Sequence, residues 1–250
     1  MSTARATETA EREVDSFGIS LPDHWFLLPL HRPDFDRTVD GLRRSWNEVG
    51  MNRTEQRRCE LLLQRVRSQL REQGVVFAAA SFERGFRPGV EEIDENAEVL
   101  MATCTFSVLS REELGFDMRL SIPILYSAFN TRPHPTNELA TITDLEPPEI
   151  CHLTAGRAVR LRRLYTSTKV HKRLERWFAE TYVIPLGTAQ RLAGILQFST
   201  TNVSMAADFS TLFAGFAQTM TLFGPDDPTQ MNRDGNEPAS GTWTELETRS

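Results

Sequence analysis

The chain has 250 residues, 40% of them hydrophobic and 25% charged, which are the proportions of an ordinary globular protein. Its net charge of −6 argues against a general polyanion-binding protein. No apolar run reaches the ~18 residues that a membrane-spanning helix needs. The basic residues are nearly all arginine, lysine occurring only at Lys169 and Lys172, and this bias indicates a GC-rich genome.

Cysteine usage and the first residues of the chain indicate its compartment. The cysteines, Cys59, Cys104 and Cys151, are few, and none belongs to a C-x-x-C pair. This pattern argues against a disulfide framework and against a structural zinc site. The N-terminal segment MSTARATETAEREVDS is polar and has no apolar stretch of the secretory-signal type. We therefore expect a cytoplasmic protein without a metal or other cofactor.

Composition divides the chain into three parts. Residues 1–16 have no apolar periodicity and are predicted to form a disordered arm. Residues 224–250 are rich in Gly, Pro, Asp and Asn, and they carry six acidic residues against two arginines. They are predicted to form a flexible acidic tail. A single folded domain is expected between these ends, over residues 17–223.

The first part of the domain contains two clear helix patterns. Apolar residues recur in steps of three and four over 34–48 and over 54–73, and this spacing predicts two amphipathic helices. Gly74 ends the second of them. Shorter apolar patches predict strands at 17–21 and 25–30, ahead of both helices.

The middle of the domain is less regular. Strands are predicted at 75–82 and 99–108, joined by a loop that ends acidic. A helix is predicted over 121–129, with Pro123 in its first turn, where the missing N–H costs no helical hydrogen bond. The segment TRPHPTNE that follows is predicted to be a loop.

The last third of the domain shows the clearest patterns. Valine and leucine alternate with arginine over 156–165, which predicts a strand. A closing helix is predicted over 204–223, with Ser204 as its N-cap, because Phe and Met side chains recur there at helical spacing. Further strands are predicted at 140–145, 177–185 and 191–200.

The order of these elements predicts the fold class. Strands that follow one another in runs, with helices grouped between the runs, are typical of an α+β fold. We predict one antiparallel β-sheet with helices on both faces, an α-β-α sandwich that ends in a long C-terminal helix. The apolar stripes of the three long helices would then all be buried against the sheet.

Several segments resemble a known fold. They are the opening GISLPDHWFLLPL, the strand GRAVRLRRL, the strand pair TYVIPLG and AGILQFSTT, and the closing helix MAADFSTLFAGFAQTMTLF. In pattern and order they resemble the PsbP-like fold of actinobacterial proteins, including the LpqN lipoprotein family. The resemblance implies a protein that binds other proteins or assists assemblies without catalysis, and it supplies no catalytic residues. The chain departs from it in lacking a lipoprotein leader and in carrying a helical insert at 34–73.

The sequence contains no familiar catalytic motif. It has no G-x-S-x-G elbow, H-E-x-x-H pair, Walker loop or G-x-G-x-x-G. Cys151 and His152 are adjacent, but neighbours on a strand point to opposite faces, so we interpret them as a buried thiol beside an exposed imidazole. The acidic residues within 91–98 lack the ligand spacing of an EF-hand, and we interpret them as a solvated loop.

The most unusual local feature is a concentration of basic residues over residues 157–176, here called the basic segment, in which only Glu175 is acidic. Such a segment has three interpretations: a hairpin that is solvated or neutralised within the chain, a surface that docks a protein, or a site for nucleic acid or anionic lipid. No aromatic pattern of an RNA-recognition motif accompanies it. Its members, the candidate partner-binding residues, are Arg157, Arg160, Arg162, Arg163, Lys169, Lys172, Arg173 and Arg176.

We therefore predict a non-catalytic protein-binding or accessory module of a bacterial cytoplasm, which docks a protein partner through the basic segment. Two alternatives stay open. One is a hydrolase-type enzyme built from scattered residues, with a cleft near His152. The other is a nucleic-acid-binding protein that uses the same basic segment, whose affinity would fall steeply with salt.

Overall fold

A computed structural model describes residues 14, 16–23, 25–30, 32–48, 52–84, 99–131, 140–167, 176–223 and 239–242. Within these residues the chain forms four α-helices and eleven β-strands. The helices are α1 (Arg32–Glu48), α2 (Arg53–Glu72), α3 (Ile122–Thr131) and α4 (Ala206–Gln218). The strands are β1 (Ser16–Ile19), β2 (Phe26–Leu27), β3 (Val75–Arg84), β4 (Val99–Ser110), β5 (Ala140–Asp144), β6 (Glu149–Leu153), β7 (Gly156–Ser167), β8 (Arg176–Leu186), β9 (Leu192–Thr200), β10 (Thr221–Phe223) and β11 (Ala239–Thr242).

Most of the strands form one antiparallel sheet in the order β2-β3-β4-β9-β8-β7-β5. The strand β7 is long enough to pair with β6 along its first half and with β5 along its second half. Hairpins join β3 to β4, β7 to β8 and β8 to β9, whereas the pairing of β4 with β9 joins the two halves of the domain. The predicted α+β fold with an antiparallel sheet is confirmed.

Helices cover both faces of this sheet. On one face, called the α4 face, Phe213 of α4 stacks on Phe198 of β9 with ring centroids 5.0 Å apart. On the opposite face, called the α3 face, Leu125 of α3 packs in a buried cluster with Val183 of β8. Helix α2 reaches the α3 face at β3, where Leu70 packs against a small separate cluster. The sheet is therefore shared by two hydrophobic cores, one on each face.

A second, three-stranded sheet brings distant parts of the chain together in the order β10-β1-β11. Phe17 and Ile19 of β1 are each 1% exposed and belong to the core on the α4 face. Phe17 meets Phe77 edge-to-face at 5.6 Å, which ties β1 to the main sheet. Strand β11 lies within the predicted tail, 224–250. Those four residues pair with β1, and the remainder of the tail lies outside the described residues, as do residues 1–13 of the predicted arm.

The predicted helices differ from the observed ones mainly at one end. Helices α1, α2 and α3 match their predicted positions to within two residues. The closing helix was expected over 204–223, and this length is wrong, because α4 ends at Gln218 and β10 follows. The physical reason is competition from β1: the Thr219 hydroxyl accepts a hydrogen bond from the Ser20 N–H at 3.0 Å and starts the pairing of β10 with β1. Ser204 is not the N-cap either, since that position is Met205, with no side-chain capping bond.

Two glycines are required by the local geometry. Gly74 has a φ of +71°, the left-handed conformation that ends α2 where the sequence predicts. Gly194 lies on the α4 face, where a Cβ atom would approach the Phe106 ring to 2.7 Å. In the part of the chain that the structure describes, no helix is both long and apolar enough to span a membrane.

Candidate functional site

The described members of the basic segment do not form one continuous patch. Arg157 is exposed near the start of β7, and Arg176 is exposed at the start of β8. Arg176 pairs in register with Thr166, nine residues along β7 from Arg157, which at ~3.3 Å per residue separates the two arginines by roughly 30 Å. The predicted members Lys169, Lys172 and Arg173 lie outside the described residues.

Arg160 points into the protein rather than toward a partner. Its guanidinium donates to the Glu180 carboxylate at 3.0 Å and to the Ser210 hydroxyl of α4 at 3.0 Å. Glu180 is fully buried, and it also accepts hydrogen bonds from the Tyr182 and Ser210 hydroxyls. We call these four residues the buried polar cluster. It joins β7, β8 and α4 beneath the helix.

Burial changes the proton affinities within the buried polar cluster. It raises the pKa of Tyr182, and the Glu180 carboxylate raises that pKa further. Burial alone would lower the pKa of Arg160, but the hydrogen bond that Arg160 donates to Glu180 and the charges of its neighbours raise that pKa above the usual value. The tyrosine is therefore a hydrogen-bond donor and the arginine a cation at neutral pH, so the cluster is a satisfied structural network.

Arg162 and Arg163 are also neutralised within the chain. Arg162 forms ion pairs with Glu146 and, at 3.6 Å, with Glu149. Arg163 points to the opposite face, where its Nε donates to Asp144 at 2.8 Å. The acidic partners come from the segment DLEPPE, residues 144–149, which the sequence analysis did not connect with the basic segment. Three acids within six residues, just before the hairpin of β6 and β7, were the available signal.

The structure places the outer member Arg176 beside a cleft at one end of the sheet. Phe178 and Phe198 point to the α4 face, so their neighbours Trp177 and Ser199 point to the α3 face. There they line an open cavity of about 300 Å³. We call this cavity the sheet-end cleft. It is lined by Met101, Thr103, Arg176, Trp177, Ser199, Thr200 and Thr201.

The sheet-end cleft combines an aromatic wall, hydroxyl groups and a cation. Trp177 stacks on Tyr165 of the adjacent strand, with ring centroids 5.1 Å apart and planes 8° apart. The hydroxyls of Thr103 and Ser199 share a hydrogen bond of 2.6 Å. Arg176 is exposed and makes no ion pair with any residue in the described ranges. Such a site can hold a carboxylate together with an apolar group, because guanidinium pairs with the first and the indole covers the second.

The residues of the alternative enzymatic interpretation do not converge on a cleft. Cys151 is half-buried, and its Sγ lies 3.7 Å from the Ala158 carbonyl oxygen, while His152 is exposed, as the alternation of a strand predicts. Burial raises the pKa of Cys151 and, more strongly, that of Cys104, so both thiols are protonated at neutral pH. The described residues contain no group of three potential metal ligands of the His, Cys, Asp or Glu type.

Four of the five histidines, including His24, lie outside the described residues, as does the acidic stretch of 91–98. No family model and no curated protein matches this chain. Its function must therefore be argued from the geometry of the described residues.

Proposed function

We propose that this protein is a non-catalytic binding module that docks an acidic segment of a partner protein at the sheet-end cleft. The observation that carries this proposal is the position of Arg176, an exposed arginine without an ion pair in the described residues, beside Trp177 in the sheet-end cleft. The function is the one that the sequence predicts. The site is narrower than predicted, because Arg160, Arg162 and Arg163 are neutralised by the chain's own acids.

The composition of the cleft supports protein docking. Tryptophan, tyrosine and arginine are the residues most often found at the energetic centre of protein interfaces. Here Trp177 and Tyr165 are held rigid by their mutual stacking, so little side-chain entropy would be lost when a partner covers them. The hydroxyls of Thr103 and Ser199 can exchange hydrogen bonds with a peptide backbone. An acidic residue of the partner would complete the site by pairing with Arg176.

The charge of the whole chain favours a protein over a nucleic acid. The net charge is −6, and most of the described basic segment is already paired with carboxylates. Tyr165 and Trp177 stack on each other, so one face of each ring is already covered. This leaves less aromatic surface for stacking on bases. Binding to nucleic acid is therefore an outcome of the test below rather than a second proposal.

We also propose that the fold is PsbP-like and that the protein acts in a bacterial cytoplasm. An antiparallel sheet with helices on both faces supports the first part, and the free thiols of Cys104 and Cys151 support the second. A crystal structure with a different strand order would contradict the first. Recovery of the full-length chain in the culture fluid of intact host cells would contradict the second.

Affinity capture from the native host, followed by binding measurements with the purified partner, tests the docking site. Arg176→Glu should weaken binding of that partner about tenfold or more, because it replaces an attraction by a repulsion. Arg157→Glu is the matched control, since it makes the same charge change on the same hairpin roughly 30 Å away. It should leave the affinity within about twofold.

Two results would contradict the docking proposal. One is equal affinity for the wild type and Arg176→Glu. The other is capture that nuclease treatment abolishes and that weakens with a steep salt dependence, which would assign the surface to nucleic acid. Charge reversal at Arg160 is unsuitable for this test, because it would leave the Glu180 carboxylate buried next to a second acid.

A further inference from the structure

The other face of the same sheet end carries a second cavity, of about 310 Å³, between α4 and strands β3 and β4. Residues Leu100 and Ala102 of β4 line it, whereas their neighbours Met101 and Thr103 line the sheet-end cleft on the α3 face. The two cavities are thus back to back across one strand. We call the second cavity the apolar cleft. It is lined by Trp25, Ser81, Leu100, Ala102, Met205, Asp208, Phe209 and Leu212.

The walls of the apolar cleft are mainly hydrophobic. The Trp25 ring is 7% exposed and meets Phe216 of α4 edge-to-face at 5.7 Å, which fixes its orientation. Phe209 is 8% exposed and packs on Phe213 in the main core. A bound apolar group would therefore meet preformed aromatic surface, and removing apolar surface from water favours binding.

The rim of the apolar cleft has an unusual exposed residue. Leu212 of α4 is 45% exposed, whereas Phe209 and Phe213, which stand on either side of it in the helix, are buried. Leu212 lines the cleft rather than the core, so its exposed side chain adds apolar surface at the rim. A bound ligand would cover that surface.

One of the described residues that line the apolar cleft is charged. Asp208 is exposed in the first turn of α4, where its carboxylate also favours the positive end of the helix dipole. It makes no ion pair with any residue in the described ranges, and the rest of the lining is uncharged. The described lining therefore offers hydrophobic contact and one negative charge, which is the complement of an apolar group that carries a cation.

We propose that the apolar cleft is a binding site for a small organic ammonium ion with an aromatic or aliphatic body. Its volume lies at the lower end of the range for small-molecule sites, about 300–1,000 Å³. The apolar body would lie against Trp25 and Phe209, with the ammonium group near Asp208. This site is distinct from the sheet-end cleft, since the two cavities have no lining residue in common.

Two matched probes test the assignment by NMR titration of the full chain. Phenethylammonium and 3-phenylpropionate share an aromatic body and differ in the sign of their charge. Phenethylammonium should shift the amide signals of Leu100–Ala102 and of the first turns of α4 in a saturable manner. 3-Phenylpropionate should bind at the same signals at least about fivefold more weakly, because its carboxylate faces Asp208.

Two variants and one control make the test specific. Asp208→Asn should remove the preference for the ammonium probe, and Leu212→Ser should weaken both probes. Asp117→Asn, which makes the same charge change at an exposed acid outside the lining, should alter neither affinity. Because Asp208 and Leu212 are exposed, these variants are expected to fold, and the unperturbed remainder of the amide spectrum would verify that they do.

Three outcomes would overturn the proposal. The first is the absence of saturable shifts at the apolar cleft with millimolar phenethylammonium. The second is equal affinity for the two probes that Asp208→Asn leaves unchanged. The third is tighter binding of an acetylated Leu-Lys peptide amide than of phenethylammonium, which would assign the cleft to a basic segment of a partner protein instead.

Discussion

At the scale of single residues, what decides the role of each arginine is the burial of its partner. Arg160 and Arg162 are neighbours on the same face of β7, and their side chains are 17% and 23% exposed. Arg160 pairs with Glu180, which is fully buried, as well as with the half-exposed Glu149 at 3.6 Å, whereas both partners of Arg162 are about half-exposed. The first pair is therefore part of the core and the second is part of the surface, although the sequence presents the two arginines identically.

This difference predicts unequal effects on stability. Arg160→Met removes the cation from a buried carboxylate, and we expect it to lower the free energy of unfolding by about 3–5 kcal/mol. Arg162→Met breaks ion pairs with solvated acids, and we expect a loss of about 1 kcal/mol or less. Urea denaturation followed by circular dichroism measures both values. Equal losses for the two variants would show that Glu180 is not held by Arg160.

The buried polar cluster also marks what could not be predicted from the sequence. Glu180 stands within the apolar strand RWFAETYVIPL, and a single acid in such a strand is a sign of a buried charge. Its partners Arg160 and Ser210 are 20 and 30 residues away, and only the pairing of β7 with β8 and the docking of α4 bring them to it. Local patterns carry no information on which distant residues meet.

At the scale of elements, the clearest feature is the pairing of α1 with α2. Phe35 of α1 is 2% exposed, and the guanidinium of Arg67 of α2 lies 5.3 Å from its ring centroid. Along the outer part of the pair, Arg43 forms an ion pair with Glu60, and the Gln56 amide donates to Asn47 at 2.8 Å. Polar contacts between the helices therefore add to the apolar stripe that the sequence predicts.

The contact between Arg43 and Glu60 predicts a pH dependence. The hydrogen bond from Arg43 lowers the pKa of Glu60 below its usual value, although partial burial opposes this. A carboxyl group with a lowered pKa in the folded state stabilises the fold above its unfolded pKa of about 4.3, and this stabilisation is lost as the pH falls through the folded pKa. We therefore expect the free energy of unfolding to fall less between about pH 6 and about pH 3 in Glu60→Gln than in the wild type.

Urea denaturation at several pH values measures this slope. Glu72→Gln is the matched control, since Glu72 is an exposed acid of the same helix without an ion pair in the described ranges. It should leave the acid-side slope unchanged. The same slope in the wild type and in Glu60→Gln would show that Arg43 does not hold Glu60 in solution.

Local signals specify elements well where no other segment competes for them. Gly74 ends α2 as predicted because its left-handed conformation is a property of the glycine itself. The end of α4 was mispredicted because Thr219 and β10 pair with β1, which lies almost 200 residues earlier in the chain. The exposed Leu212 is a similar case, since helical spacing alone could not show that α4 tilts it toward a cleft.

At the scale of the whole molecule, the sheet separates two cores that share its strands. Alternate residues of β8, such as Tyr182 and Val183, belong to the clusters on the α4 face and the α3 face. The α+β class and the placement of helices on both faces were predictable, because they follow from apolar periodicity. The two clefts at the sheet end were not predictable, because each is lined by residues from elements that lie far apart in the chain.

Two cores on one sheet predict a specific pattern of additivity. Ile184→Val on the α4 face and Ile122→Val on the α3 face should each lower the free energy of unfolding by about 0.5–1.5 kcal/mol. Because the sheet lies between them, their effects should add to within about 0.5 kcal/mol in the double variant.

The comparison pair is Phe198→Leu with Phe213→Leu, whose rings stack directly, and there we expect clear non-additivity. Urea denaturation, followed by both tryptophan fluorescence and circular dichroism, measures the free energy of unfolding of each single and double variant. We expect the two probes to report coincident transitions, since one sheet serves both cores. Separate transitions for the two probes, or strong coupling between Ile184 and Ile122, would contradict this arrangement.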